Sequence, residues 1–383
     1  MVVTLPRDLE DEILCRVPDK SLARFRCVCK QWNTQLVEET FLAQHASRMH
    51  NYSGDDQFLG DDQIIIKGAR DRINSVASPS LKIEDLTLKN RKIVHEFGCR
   101  IRVYKIVHCT GLLVCVMENQ LLIWNPYLKV TRWIKCSSDF HRFDDAYGLG
   151  FIRQPPNHHN YKIVRFRCAH NSRDRPPRVE VYDFTSNRWK IITDLISFDW
   201  HLRVPLSSVS LGGNSYWIGL WEDSTAFIQC FDYSRERFQP LGHLPFRYDE
   251  HNPLALGTFR RNQLSLLEQC HQTRKISIWV RHLITPWTIL MVLAIPHFPL
   301  LYETHRSRFS ANFFVDRNDT LVTSCFNEAA KSIRIFRVKD KEFQKVYETT
   351  AGNTCVYVPS LAHPHGFSKQ DTTRIRWRKN RFN

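Results

Sequence analysis

The 383 residues carry 54 Lys and Arg against 39 Asp and Glu, a formal net charge of +15, with 43% hydrophobic and 12% aromatic side chains. That mixture suits a packed globular chain and excludes a disordered one. The longest uncharged apolar run, Trp287 to Ile295, is nine residues, strand-sized and too short to span a bilayer. The opening residues are charged from Arg7 onward with no apolar leader, so an intracellular soluble protein of nucleus or cytoplasm is expected, with no membrane partner.

Residues 5–32 hold two apolar stripes at helical spacing, broken by a proline. Leu9, Ile13, Leu14 and Val17 share one face of an amphipathic helix. Pro18, without an N–H, stops it. Asp19 or Ser21 can cap a second helix with Leu22, Phe25 and Val28 on one face, and Trp32 and Leu36 continue into a third. A unit of this size (residues 1–47) buries too little apolar surface to fold well alone and calls for a partner. Residues 1–50 balance seven basic against seven acidic groups, so the unit is neutral. Residues 48–100 are expected to be a linker, with a poorly matched first blade in 64–97.

From about residue 100 the chain repeats. Strand-like segments LLIWNP (121–126), VEVYDF (179–184), IQCFDY (228–233), ISIWVR (276–281) and IRIFRV (333–338) place aromatics at Trp124, Tyr182, Phe231, Trp279 and Phe336. A second aromatic follows each at Trp133, Trp189, Phe238, Trp287 and Phe343, across turn-formers such as TSN, SRE and KDK. An earlier strand opens each unit: LLVCV, YKIVRF, NSYWIGL, QLSLLEQ and TLVTSCF. Units of this length with three or four strands predict a mostly antiparallel, propeller-like β domain over 101–362, of about six blades. The closing aromatic of each unit would wedge between neighbouring sheets, and CVYVPSLA (355–362) could return to close the ring; five blades or an open stack are alternatives. The fold class is therefore α+β in two parts, helices first and β repeats after. Plain β-sandwich domains are the competing architecture.

The loop RFRCAHNSRDRPPRVE (165–180) holds five arginines, Arg165, Arg167, Arg173, Arg175 and Arg178, against two acids. Paired guanidinium donors suit carboxylate or phosphate, so these are candidate contacts to an acidic or phosphorylated target; a solvated basic loop is the plainer reading. The last ten residues, RIRWRKNRFN, carry five basic groups and no acid, and 363–383 reads as a basic tail that solubilises, binds anions or directs import. The twelve cysteines are scattered, with no CxxC pair, so reduced buried thiols are expected and no metal. No GxSxG, GxxxxGK[ST] or HExxH motif is present, Gly148-Leu149-Gly150 lacks a third glycine, and Gly212-Gly213 reads as a hairpin turn. No catalytic residue and no cofactor are expected. Charge alone leaves a nucleic-acid or anion-binding repeat protein as the alternative, although no base-stacking set emerges.

The N-terminal pattern resembles an F-box. Leu5-Pro6, Asp8-Leu9 and Glu12-Ile13-Leu14 match its opening, and Lys20-Ser21-Leu22, Arg24-Phe25-Arg26, Val28-Cys29-Lys30 and Trp32 its second half. The body resembles the type 1 F-box-associated interaction domain of plant F-box proteins through CTGLLVC (109–115), IWNPYLKVTRWI (123–134), YGLGF (147–151), VYDFTSNRWK (181–190), VSLGGNSYWIG (209–219), CFDYSRERFQPLGHLPF (230–246), FFVDRND (313–319) and YVPSL (357–361). Thr110 and Lys129 depart from that pattern. The resemblance implies a non-catalytic subunit of an SCF-type cullin–RING ubiquitin ligase, in which the F-box docks on a Skp-type adaptor and the β domain recognises the target. It assigns docking to Leu5, Pro6, Leu9, Ile13, Leu14, Val17, Pro18, Leu22, Phe25, Val28 and Trp32, some of which must instead hold the helices together.

Overall fold

The computed structural model describes residues 6–17, 28–36, 63–67, 73–77 and 91–92, helical positions at Ser21, Leu22, Phe25 and Phe41, and residues 103–362 with short gaps. Expectations placed on Leu5, Pro18, Lys129, Arg173 and the 363–383 tail lie outside the described residues.

Helix α1 (Arg7–Leu14) begins directly after Pro6, whose fixed φ of −54° suits a helix entry. Helix α2 (Lys30–Gln35) is capped by the Cys29 sulfur, which accepts the Trp32 amide at 3.4 Å. Leu14, Cys15, Leu22, Leu36 and Phe41 are buried in one apolar cluster.

Strands β1 (Gln63–Lys67), β2 (Ile73–Ala77) and β3 (Arg91–Lys92) precede five blades built from consecutive antiparallel strands. Blade one is β4 (Lys105–Cys109), β5 (Leu112–Val116), β6 (Gln120–Asn125) and β7 (Val130–Lys135). Blade two is β8 (Ala146–Gln154), β9 (His158–Arg167), β10 (Arg178–Asp183) and β11 (Arg188–Ile191). In blade three the inner edge is split, β12 (Trp200–Leu202) and β13 (Val209–Leu211) both pairing with β14 (Asn214–Trp221), followed by β15 (Ala226–Asp232) and β16 (Arg237–His243). Blade four is β17 (Leu254–Phe259), β18 (Gln263–Gln269), β19 (Ile276–Arg281) and β20 (Thr288–Leu293); blade five is β21 (Phe313–Val315), β22 (Leu321–Asn327), β23 (Ser332–Lys339) and β24 (Glu342–Thr350). The last strand, β25 (Thr354–Tyr357), returns to pair with β1, Ile65 opposite Cys355, and completes a composite sixth sheet in the order β25-β1-β2-β3.

The ring is closed by apolar contacts. One cluster lies between each pair of neighbouring sheets, from blade one against blade two around to blade five against the closing sheet (Ile64 of β1, Val356 of β25), and from β25 (Cys355, Tyr357) back to blade one. The repeated aromatics occupy these seams in succession. Trp124 packs against the closing sheet, Tyr182 against blade one, Phe231 against blade two, Trp279 against blade three and Phe336 against blade four. Large flat side chains at this position remove most area from water per residue, which is why the repeat keeps an aromatic there.

Backbone geometry explains two motifs. In YGLGF, a Cβ on Gly150 would stand 2.2 Å from the Gly213 carbonyl oxygen and the Tyr233 ring, so only glycine lets β8 lie against the β13–β14 turn. That turn is Gly212-Gly213, with φ +61° and +90°, the left-handed pair a tight hairpin needs.

The closing strand is held by motifs far apart in sequence. Asn125 of the NP turn, fully buried, donates through Nδ2 to the carbonyls of Ser360 (3.2 Å) and Ala362 (2.8 Å). His108 Nε2 accepts the Gly111 amide at 2.9 Å and the Val358 amide at 3.4 Å. The Ser360 hydroxyl donates to the carbonyl of Thr110, which sits at φ +44°. Thr110, a departure from the family pattern, thus lies at the ring closure.

Candidate adaptor and target surfaces

The helical unit sorts its apolar residues into two groups. Leu14 and Leu22 are 2% and 0% exposed and belong to the apolar cluster that continues into blades one and two. Val17, Phe25 and Trp32 are partly buried against the same cluster, with the Phe25 and Trp32 rings 5.3 Å apart. These five hold the helices together and seat them on the propeller. By contrast, Leu9 is 48% exposed, Ile13 53% and Val28 65%, and Pro6 is exposed. Leu9 and Ile13 stand one turn apart on α1. The Trp32 indole N–H and the Gln31 amide (3.0 Å) both donate to Glu10, and Gln35 donates to Asp11. These bonds tie α2, and the turn bearing Val28, to α1.

The arginine-rich segment is arranged differently from its sequence appearance. Arg165 and Arg167 lie on β9, each 1% exposed, among three carboxylates. Arg165 meets Glu180 at 2.7 Å and Asp145 at 3.6 Å; Arg167 meets Asp139 at 2.6 Å and Asp145 at 3.6 Å. Arg178 reaches Glu180 at 2.5 Å and Asp139 at 3.7 Å, and Arg175 reaches Asp139 at 3.3 Å. Ser137 donates to Glu180 at 3.0 Å, and the His141 amide to Asp145 at 2.8 Å. Burial pushes the Asp145 carboxyl above its usual range, opposed chiefly by Arg165, the His141 amide and Arg167. A guanidinium enclosed this way lies out of a ligand's reach. The expectation that Arg165 and Arg167 face a target is corrected: β9 points them into the blade, where they neutralise acids. Of the four described, Arg175 and Arg178 keep partial exposure, at 38% and 26% of their side chains, and both already share Asp139.

Sequence reading missed Asp139 and Asp145 because they sit in the connection between blades one and two, and only sheet pairing brings them to the arginines. It also missed a clip between blades two and three. Lys162 on β9 meets Glu236 at 2.6 Å and Asp183 at 3.6 Å, and Lys190 on β11 meets Glu236 at 2.8 Å. Burial raises Glu236, but the bonds from Lys162 and Lys190 outweigh it and hold the carboxyl below its usual value.

Among the described residues no group of three or more His, Cys, Asp or Glu is placed to hold a metal ion, and no helix is long and apolar enough to cross a membrane. The ten described cysteines are free thiols, eight of them buried.

A helical unit that leaves Leu9, Ile13 and Val28 exposed and packs on a closed antiparallel propeller defines a two-part class, small helical domain and β-propeller. Comparison with known proteins gives the same class. Residues 3–41 match the F-box domain family, and residues 64–364 match the F-box associated beta propeller domain family. F-box/WD-40 repeat-containing protein 1 of Arabidopsis thaliana is 33% identical over 335 residues, covering 84% of this chain and 76% of that one. An F-box/kelch-repeat protein of the same plant is 31% identical over 301 residues, 74% and 75% of the two chains. Another Arabidopsis chain named for its F-box is 36% identical over 390 residues, 94% and 98%. The chain belongs to the family of F-box proteins with an F-box-associated β-propeller domain.

Proposed function

We propose that this chain is the substrate-recognition subunit of an SCF-type cullin–RING ubiquitin ligase, with no catalytic step of its own. In this reading Leu9, Ile13 and Val28, with Pro6 beside them, form the surface that a Skp-type adaptor covers, and the adaptor links the chain to a cullin. The propeller holds the target for ubiquitination by the other subunits.

The observation that carries the reading is the split within one short motif. Residues of equal hydrophobicity, one position apart in α1, differ between 53% exposed at Ile13 and 2% at Leu14. An amphipathic helix that leaves aliphatic side chains in water loses stability it could recover by burying them, and a partner surface does that. The F-box and propeller family membership supports the same role. The test is co-expression with a Skp-type adaptor and capture through a tag on this chain. Stoichiometric co-purification is expected; a chain that folds and elutes without adaptor at micromolar concentrations refutes the reading.

A further inference from the structure

Among the described residues the outermost strand of each of the five blades pairs with another strand on one side only, which makes it a sheet edge. Edges of this kind are normally protected by charge or proline, and four of the five blades follow the rule. Strand β7 carries Arg132 and Lys135, β11 carries Arg188 and Lys190, β16 carries Arg237 and Pro240, and β24 carries Glu342, Lys345 and Glu348. Strand β20 of blade four reads TILMVL and carries neither. It shares with β16 and β24 a one-residue shift in pairing with its inner neighbour, so that shift does not set it apart. Leu290, Met291 and Leu293 pack into the seam with blade five, while Ile289 and Val292 are 56% and 45% exposed. Ile284, in the loop leading to β20, is 96% exposed.

Both ends of this edge are basic. Among the described residues Arg281, at the start of the loop, donates to the carbonyls of His282 and Leu283 (3.3 Å each) and lies over the Trp287 ring at 5.4 Å. Arg274 and Lys275 stand at the other end, just before Ile276, the residue opposite Leu293. Antiparallel pairing with a second copy would bring Arg281 of one chain to Arg274 and Lys275 of the other, between two molecules each of charge +15. That arrangement is repulsive, and the same charges attract an acidic partner.

We propose that β20 is a docking edge for an extended partner segment, apolar and β-branched in its middle and acidic at its ends, which adds to blade four as a further strand. Backbone bonds to this edge would give affinity, contact with Ile289 and Val292 would fix register, and Arg281, Arg274 and Lys275 would select the flanks. This deepens the reading of the propeller as the target-binding part and rests on it. Binding is tested with the full chain alone, so the result is independent of adaptor capture. The probe is a fluorescein-labelled peptide of three Val-Thr repeats with two glutamates at each end, followed by anisotropy. Two controls replace the glutamates with lysines, or a central threonine with proline. The glutamate peptide is expected to bind at least tenfold tighter than either control, and at least tenfold weaker to the Ile289→Lys, Val292→Lys variant. Equal binding of all three peptides to the wild-type chain overturns the proposal, and that comparison stands even if the double variant fails to fold. A wild-type dimer in sedimentation that the milder Ile289→Ser, Val292→Ser variant turns to monomer overturns it too, by giving the edge to a second copy.

Discussion

Glu180 is 1% exposed and takes hydrogen bonds from Arg178 and Ser137 beside its ion pair with Arg165. Removing its charge leaves a buried guanidinium short of a partner, so Glu180→Gln is expected to destabilise the chain by about 3 kcal/mol. Arg175, on the rim of the same cluster, is exposed enough that Arg175→Ala should cost under about 1 kcal/mol. Urea unfolding of both variants checks the contrast; equal effects would mean that the cluster is not buried as described. The Glu236 clip behaves differently with pH. Its carboxyl is held below the ordinary value of 4.5, so the stability it adds is fully present above that value and is lost as pH falls through the lowered one. Glu236→Gln should therefore lower the melting temperature at pH 7, and the difference from wild type should shrink as the medium is acidified below about 4.5. Thiols divide in the same way. Burial pushes Cys115, Cys136, Cys168 and Cys230 up to about 12, whereas the Thr273 hydroxyl and amide hold Cys270 below its usual value. In the native protein Cys270 and the exposed Cys29 should react first with a disulfide reagent, the buried eight only after unfolding.

At the scale of elements, strand β8 depends on having no side chain at Gly150. Gly150→Ala drives a Cβ into the Gly213 carbonyl and the Tyr233 ring, and a loss of about 3 kcal/mol or more is expected, read as a lowered urea midpoint. This is also where the sequence was most informative. The alternation in ISIWVR appears as the buried and half-buried alternation of β19, and the two strands named for each unit became the second and third strands of each blade. Local periodicity reports which face of a strand is buried, so those elements were readable. The exposed outer strands and the split inner edge of blade three carry weaker patterns and were not singled out. Long-range pairing was harder still. The arginines of β9 looked like a basic surface because two of their acids, Asp139 and Asp145, come from the connection between blades one and two. In the F-box, spacing identified the apolar set, but packing against blades one and two decides that Leu14 is inside and Ile13 outside.

The whole molecule is a ring closed by its own C-terminal segment. β25 supplies the inner strand of the sixth sheet, and Asn125 and His108 of blade one hold the residues that follow it. Loss of residues 354–383 would expose the seams of blade one and blade five together, so the shortened chain is expected to aggregate or melt at least 10 °C lower. A melt unchanged by the truncation would mean that closure contributes little. The helical unit shares one apolar cluster with blades one and two, and the central proposal is that it presents Leu9, Ile13 and Val28 to an adaptor. Each aliphatic truncation should remove about 1 kcal/mol of burial, so the three together weaken adaptor binding by roughly a hundredfold. The direct measurement is adaptor affinity of the wild-type chain and of the Leu9→Ala, Ile13→Ala, Val28→Ala variant, with circular dichroism to show that both propellers are folded. Tight binding by the wild type and its loss in a folded variant is the predicted result. Equal affinity of the two chains would contradict the account.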